Sequence, residues 1–213
     1  MNFNELLQIV GDEPIFGTGL LLAGDVNPRE IRKQLSRWTS SGKLLQLRRS
    51  LYCLAPPYQK VIPHPFWVAN RLQPGSYVSL QSALAHYGMI PELVSATTSV
   101  SCGRPEELKT PFGLFLFRHI QVGWLRGYHA LDLGKGQSAF IATPEKALLD
   151  LIYLQTGGDS AAYLRELRLQ ALDRLDLDRL QFLAQESNKP KLARAVEIIR
   201  QLVDEEKTGF TNL

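Results

Sequence analysis

Only two cysteines, Cys53 and Cys102, occur in 213 residues. That is too few for a disulfide framework or a closed four-ligand zinc site. Both lie in strand-like apolar stretches and are expected to be small buried hydrophobes. No apolar run approaches the roughly 18 residues of a membrane-spanning helix. The opening residues, Met1-Asn2-Phe3-Asn4-Glu5, lack the charge and apolar segment of a secretion signal. A cytoplasmic location is therefore expected, with no membrane partner.

Signatures of catalysis are equally scarce. His64, His86, His119 and His129 show no metal-ligand spacing, so neither a metal nor a cofactor is expected. Ser79, Ser82 and His86 lie close in sequence, but no Gly-x-Ser-x-Gly elbow surrounds either serine; helix capping is the expected use of Ser79. Gly134-Lys135-Gly136 lacks the ending of a phosphate loop and reads as a connection between strands. Asp132, Glu145 and Asp150 have no spacing suited to a metal-dependent nuclease. Glu145 and Lys146, side by side after Thr143-Pro144, are explained by the start of a helix. A non-enzymatic protein is expected.

What the chain does have is unevenly placed charge. The formal net charge is only +3, yet residues 27–56 hold seven bases against one acid. From residue 145 onward, ten bases face twelve acids. Such asymmetry suggests that one end of the chain meets a polyanion and the other does not.

The local signals describe an α+β protein. A helix over 3–10 is expected from Phe3, Leu6, Leu7 and Val10 on one face, with Asn2 and Glu5 as a capping box. A short helix is expected over 18–23. A third is expected after Asn27 as cap and Pro28 as first residue, with Glu30 returning a bond to the cap. Two β-like runs, 43–47 and 51–54, then flank a turn of Arg48-Arg49-Ser50. Three helices and a hairpin in this order predict an N-terminal winged helix-turn-helix, residues 1–56. Pro56, Pro57, Pro63 and Pro65 suggest a linker over 57–65.

Residues 66–213 are expected to form a mixed α+β domain ending in helices. A helix is expected over 79–87, strands over 97–102, 114–120 and 138–141, and a helix over 144–154 capped by Thr143. A last helix over 190–204 would bury Leu192, Val196, Ile199 and Val203. The aromatic cluster Phe112, Phe115, Phe117, Trp124 and Tyr128 is expected in the core, with base stacking as the alternative use.

On the third helix, Ile31, Leu35 and Trp38 share one side, and Arg29, Arg32, Lys33 and Ser36 the other. An α-helix fits the major groove of DNA, where arginine can read a guanine edge. Base contacts come mostly from the first part of such a helix. Arg29, Arg32, Lys33 and Ser36 are thus the expected readers, and Arg37 and Lys43 the expected phosphate partners. Arg48 and Arg49 are expected at the tip of the wing, on phosphate or in the minor groove. Double-stranded DNA is the expected partner. The alternative is a protein-interaction module that neutralises or scaffolds a partner without reading sequence.

Three segments carry a family resemblance: Ser-Gly-Lys-Leu-Leu-Gln-Leu-Arg-Arg-Ser-Leu-Tyr-Cys-Leu (41–54), Ser-Tyr-Val-Ser-Leu-Gln-Ser-Ala-Leu-Ala-His-Tyr-Gly (76–88) and Ala-Thr-Pro-Glu-Lys-Ala-Leu-Leu-Asp (142–150). In this order they resemble the AbiE-type antitoxins of type IV toxin–antitoxin, phage-defence systems. The resemblance implies a repressor of its own operon that binds promoter inverted repeats, and the symmetry of such repeats favours two protomers on DNA. It also implies a co-encoded nucleotidyltransferase-like toxin as a second partner, with the C-terminal domain contributing to antitoxicity. Ser50 stands where the family pattern usually has glycine, the residue that suits a left-handed turn position.

Overall fold

The computed structural model describes residues 1–23 and 26–211, with the side chains of 1–23 and 26–206. Helix α1 (Phe3–Val10) starts at the expected capping box: the Asn2 side chain accepts from the Glu5 N–H, and the Glu5 carboxylate accepts from the Asn2 N–H. A two-residue strand, β1 (Phe16–Gly17), precedes α2 (Thr18–Leu21), which is two residues shorter than expected. Helix α3 (Pro28–Ser40) is followed by the hairpin β2 (Leu44–Arg48) and β3 (Leu51–Leu54).

The hairpin turn is shorter than the sequence suggests. Arg48 pairs with Leu51 across the ladder, and a bulge lies between Gln46 and Arg48. The turn is therefore Arg49-Ser50 alone, and Arg48 belongs to the strand. Strand β1 adds to the other side of β3, giving a small antiparallel sheet of order β1-β3-β2.

Because side chains alternate across a strand, this sheet faces two cores. Phe16, Leu44, Tyr52 and Leu54 pack with Leu6, Val10, Ile31 and Leu35 of α1 and α3. Ile15, Leu47 and Cys53 join the larger core of the rest of the chain.

The proline-rich stretch that follows is anchored at both ends. Tyr58 packs edge-on against Phe3 at 4.8 Å, and Lys60 pairs with Asp12 at 2.8 Å. The His64 N–H donates to Gln137 Oε1 at 2.8 Å. Pro65, expected in the linker, instead opens α4 (Pro65–Leu72), because proline lacks only an N–H that the first helical turn leaves unpaired.

The larger sheet has six strands in the order β6-β7-β5-β4-β9-β8. They are β4 (Tyr77–Val78), β5 (Ala96–Ser101), β6 (Glu106–Thr110), β7 (Gly113–His119), β8 (Tyr128–Gly134) and β9 (Gln137–Ala142). Strand β5 runs parallel to β7, and β4 parallel to β9; the other pairs are antiparallel. Strands β4, β6 and β8 extend the three strands expected from sequence. Gly134-Lys135-Gly136 does connect two strands, since β8 ends at Gly134 and β9 begins at Gln137.

Helix α5 (Leu80–His86) follows β4, and α6 (Pro144–Leu154) has the bounds expected of it. Then come α7 (Ala161–Glu166), α8 (Leu177–Glu186) and α9 (Pro190–Thr211), the last longer than expected. Leu192, Val196, Ile199 and Val203 of α9 are all buried. At roughly 1.5–3 kcal/mol for each buried aliphatic side chain, this stripe is enough to hold α9 against α6, α7 and α8. Phe115, Phe117 and Trp124 are buried, as expected of the aromatic cluster, but Tyr128 is exposed. Cys53 is buried and Cys102 only half-buried. No helix among the described residues is long and apolar enough to cross a membrane.

Candidate nucleic-acid interface

Helix α3 owes its start to Asn27, whose side chain accepts from the Arg29 N–H at 2.9 Å, and to Pro28. Glu30 does not return a bond to the cap. It turns instead to Lys33, at 3.1 Å. On the inner side Ile31 and Leu35 are buried, and Trp38 packs edge-on against Phe3 at 5.4 Å. The outer side carries Arg29, Arg32, Lys33, Ser36 and Arg37, all exposed.

Among the described residues, the guanidinium groups of Arg29, Arg32 and Arg37 have no carboxylate within ion-pair distance. The Lys33–Glu30 pair is exposed, and such pairs contribute only about 0–1 kcal/mol, so a polyanion can compete for Lys33. The partial positive charge of the α3 N-terminus lies on the same end as Arg29 and Arg32 and adds to their field.

The other three expected contacts divide. Arg49 is exposed at the hairpin turn. The carbonyl of the next residue, Ser50, accepts from the Thr18 N–H at 3.0 Å, which fixes the turn against the start of α2. Ser50 takes the left-handed conformation, φ 65°, despite carrying a side chain. Lys43 is half-buried, with its ammonium 4.6 Å from the centre of the Phe3 ring.

Arg48 departs from expectation. Its guanidinium donates to the Leu72 carbonyl and pairs with Glu106 at 3.1 Å, bridging the small sheet to α4 and β6. The bulge in β2 turns this side chain toward the larger core rather than toward the tip. Five of the eight expected residues thus share the α3 face, Arg49 stands at the turn, and Lys43 and Arg48 have internal partners.

A second constellation escaped the sequence reading. Asp150 of α6 is fully buried and accepts from Tyr77 Oη at 3.0 Å, Ser79 Oγ at 2.8 Å and Trp124 Nε1 at 2.7 Å. Lys146, one turn earlier and also fully buried, closes the set by donating to Asp150. Its ammonium sits 3.9 Å from the centre of the Trp124 ring. Burial pushes the carboxyl upward and the ammonium downward in pKa, and each group offsets the other's shift. Gly127 lies so close to Lys146 that a Cβ there would come within 3.1–3.2 Å of its side chain.

Ser79 occupies the cap position of α5 without a side-chain capping bond, and its hydroxyl donates instead to Asp150. The Ser82 hydroxyl is likewise spent on the Ala96 carbonyl. The three acids of interest engage separate partners. Asp132 accepts from the Gly134 N–H, Glu145 from the Asp176 N–H, and Asp150 from the cluster above. Among the described residues, no three His, Cys, Asp or Glu side chains are grouped to hold a metal. The Asp150 cluster is buried and ties α6 to β4 and to the turn containing Trp124. The faint signal for it was a Lys and an Asp four apart in a mostly apolar helix. Searches against protein families and against curated proteins find no match to this chain.

Proposed function

We propose that the chain is a DNA-binding transcriptional repressor of its own operon, with residues 1–56 acting as a winged helix-turn-helix. In this reading α3 enters the major groove of promoter inverted repeats, and the β2–β3 hairpin is the wing. The observation that carries it is the outer face of α3, where Arg29, Arg32 and Arg37 stand exposed and, among the described residues, have no acid partner beside them. Arginines left free of carboxylates retain their full capacity for phosphate and guanine. Arg29, Arg32, Lys33 and Ser36 are the readers, and Arg37 and Arg49 meet phosphate, while Lys43 and Arg48 are engaged within the protein. The resemblance to AbiE-type antitoxins extends the proposal to antitoxicity against a nucleotidyltransferase-like toxin, with no catalysis by this chain. Two protomers on an inverted repeat follow from its symmetry.

The test is binding of promoter fragments at several salt concentrations, followed by fluorescence anisotropy. Affinity should fall steeply with salt, and Arg32→Ala should cost about 1–3 kcal/mol while relaxing sequence preference. Arg37→Ala should weaken all sequences evenly and reduce the salt slope by about one. Duplex binding untouched by both changes would refute the assignment. A second reading, a surface for a protein partner, is favoured by Leu93, Val122 and Phe182, which are exposed large apolar side chains. Co-purification of a partner that survives loss of the α3 cations would support it.

A further inference from the structure

At the end of the large sheet farthest from β6, α4 and strands β8 and β9 enclose a cavity of about 340 Å³. That is within the size range of small-ligand sites. Its walls are aromatic. Trp67 of α4 is half-buried, while Phe140 of β9 and Tyr128 of β8 are 49% and 39% exposed and meet edge to face at 5.6 Å. Large exposed rings lining a concavity are unusual unless something covers them. Tyr128 is held in place from behind, stacked on Tyr77 at 4.7 Å, which itself donates to Asp150.

Two polar features narrow the class of ligand. Arg71 lies one turn beyond Trp67, its guanidinium 5.3 Å from the centre of the Trp67 ring, and among the described residues no carboxylate lines the cavity. A cation would find aromatic faces here but also the repulsion of Arg71, whereas an anion would find a free guanidinium. Ser76, 3% exposed, contributes to the cavity wall, but its hydroxyl is itself buried and, among the described residues, has no hydrogen-bond partner. Asn70 braces the site with both ends of its amide: it donates to the Ser76 carbonyl at 3.1 Å and accepts from the Phe140 N–H at 2.6 Å.

Flat aromatic walls, a guanidinium with no carboxylate partner among the described residues and a lining without described acids suit a planar, polar-edged anion. We propose that this cavity binds a nucleotide, its base against Phe140 and Trp67 and its phosphate at Arg71. Stacking on aromatic rings tolerates any base, and arginine supplies the phosphate contact. The nucleotide can be free, or it can be an unpaired residue of a nucleic-acid strand. The site is separate from the α3 face and does not depend on its role.

The experiment is isothermal titration calorimetry on the full chain with AMP, GMP, CMP and UMP, the matching nucleosides, and a single-stranded oligonucleotide. Saturable binding of a nucleotide is expected, weaker for the nucleoside, and reduced at least about tenfold by Phe140→Ala. Arg71→Gln should erase most of the difference between nucleotide and nucleoside. Arg32→Ala should leave this binding unchanged, which separates the site from duplex recognition. Binding of mononucleotides identifies a small-molecule site, and binding of the strand alone identifies an unpaired-base site. No saturable heat with any of these ligands, or binding indifferent to both Phe140→Ala and Arg71→Gln, would overturn the proposal. Both residues have exposed side chains, and circular dichroism of each variant confirms that its fold is kept.

Discussion

At Asp150, one carboxylate accepts from donors on β4, on the residue after it, on the turn containing Trp124 and on α6 itself. Removing it would leave three polar donors and an ammonium buried without an acceptor. The cost of stripping one partner from such a buried pair is about 3–5 kcal/mol. Asp150→Ala is therefore expected to lower unfolding stability by that order in urea titrations. A loss below about 1 kcal/mol would show that the cluster is incidental. The side chains were visible in the sequence, but their arrangement was not. A Lys and an Asp four apart on a helix usually form a surface pair, and only the packing of Tyr77 and Trp124 over them makes them interior. Ser79 misled for a related reason: its place before α5 signals a cap, while its hydroxyl donates to a carboxylate 71 residues away.

Helices whose ends carry their own chemistry were legible. The Asn2–Glu5 box, Asn27 with Pro28, and Thr143 with Pro144 each mark a start that the structure keeps. Strands β6 and β8 were not legible, because both lie at sheet edges. Charged or exposed residues such as Glu106, Glu107, Lys109 and Asp132 there protect the edge from pairing with other chains and erase the apolar alternation. Helix α4 was hidden by Pro65, a breaker inside a helix but a favoured first residue. The hairpin turn gives a prediction at this scale. Ser50 holds a left-handed conformation that costs a residue with a Cβ about 1–2 kcal/mol. Ser50→Gly removes that cost but adds disorder to the unfolded chain. A net gain of about 0.5–1 kcal/mol is expected, read as a higher melting temperature; a lower one would mean that the Ser50 hydroxyl contributes to the turn.

For the molecule as a whole, acid should be destabilising before the carboxylates begin to titrate. Desolvation holds both His64 and His86 below the ordinary histidine pKa of 6.5, and a charge on His86 opposes one on His64, as a charge on His129 opposes one on His86. His64 has a further reason to stay neutral, since its Nδ1 accepts from the Phe66 N–H at the start of α4. Below about pH 6.5 the unfolded chain takes up protons that the native state refuses, so stability declines as pH falls toward the lowered native values. Urea midpoints between about pH 7.5 and pH 5 should trace that decline, and His64→Asn should make it shallower. A flat profile would mean that these rings titrate freely in the native state.

The small sheet with a core on either side bears on how the protein can be dissected. A fragment stopping at residue 56 would bare Ile15, Leu47 and Cys53 to water and strip Arg48 of Glu106. Such a fragment should clump or remain partly molten. The cationic helix is therefore not expected to swivel independently of the larger body, so on the proposed reading two copies on one duplex would be spaced as whole subunits.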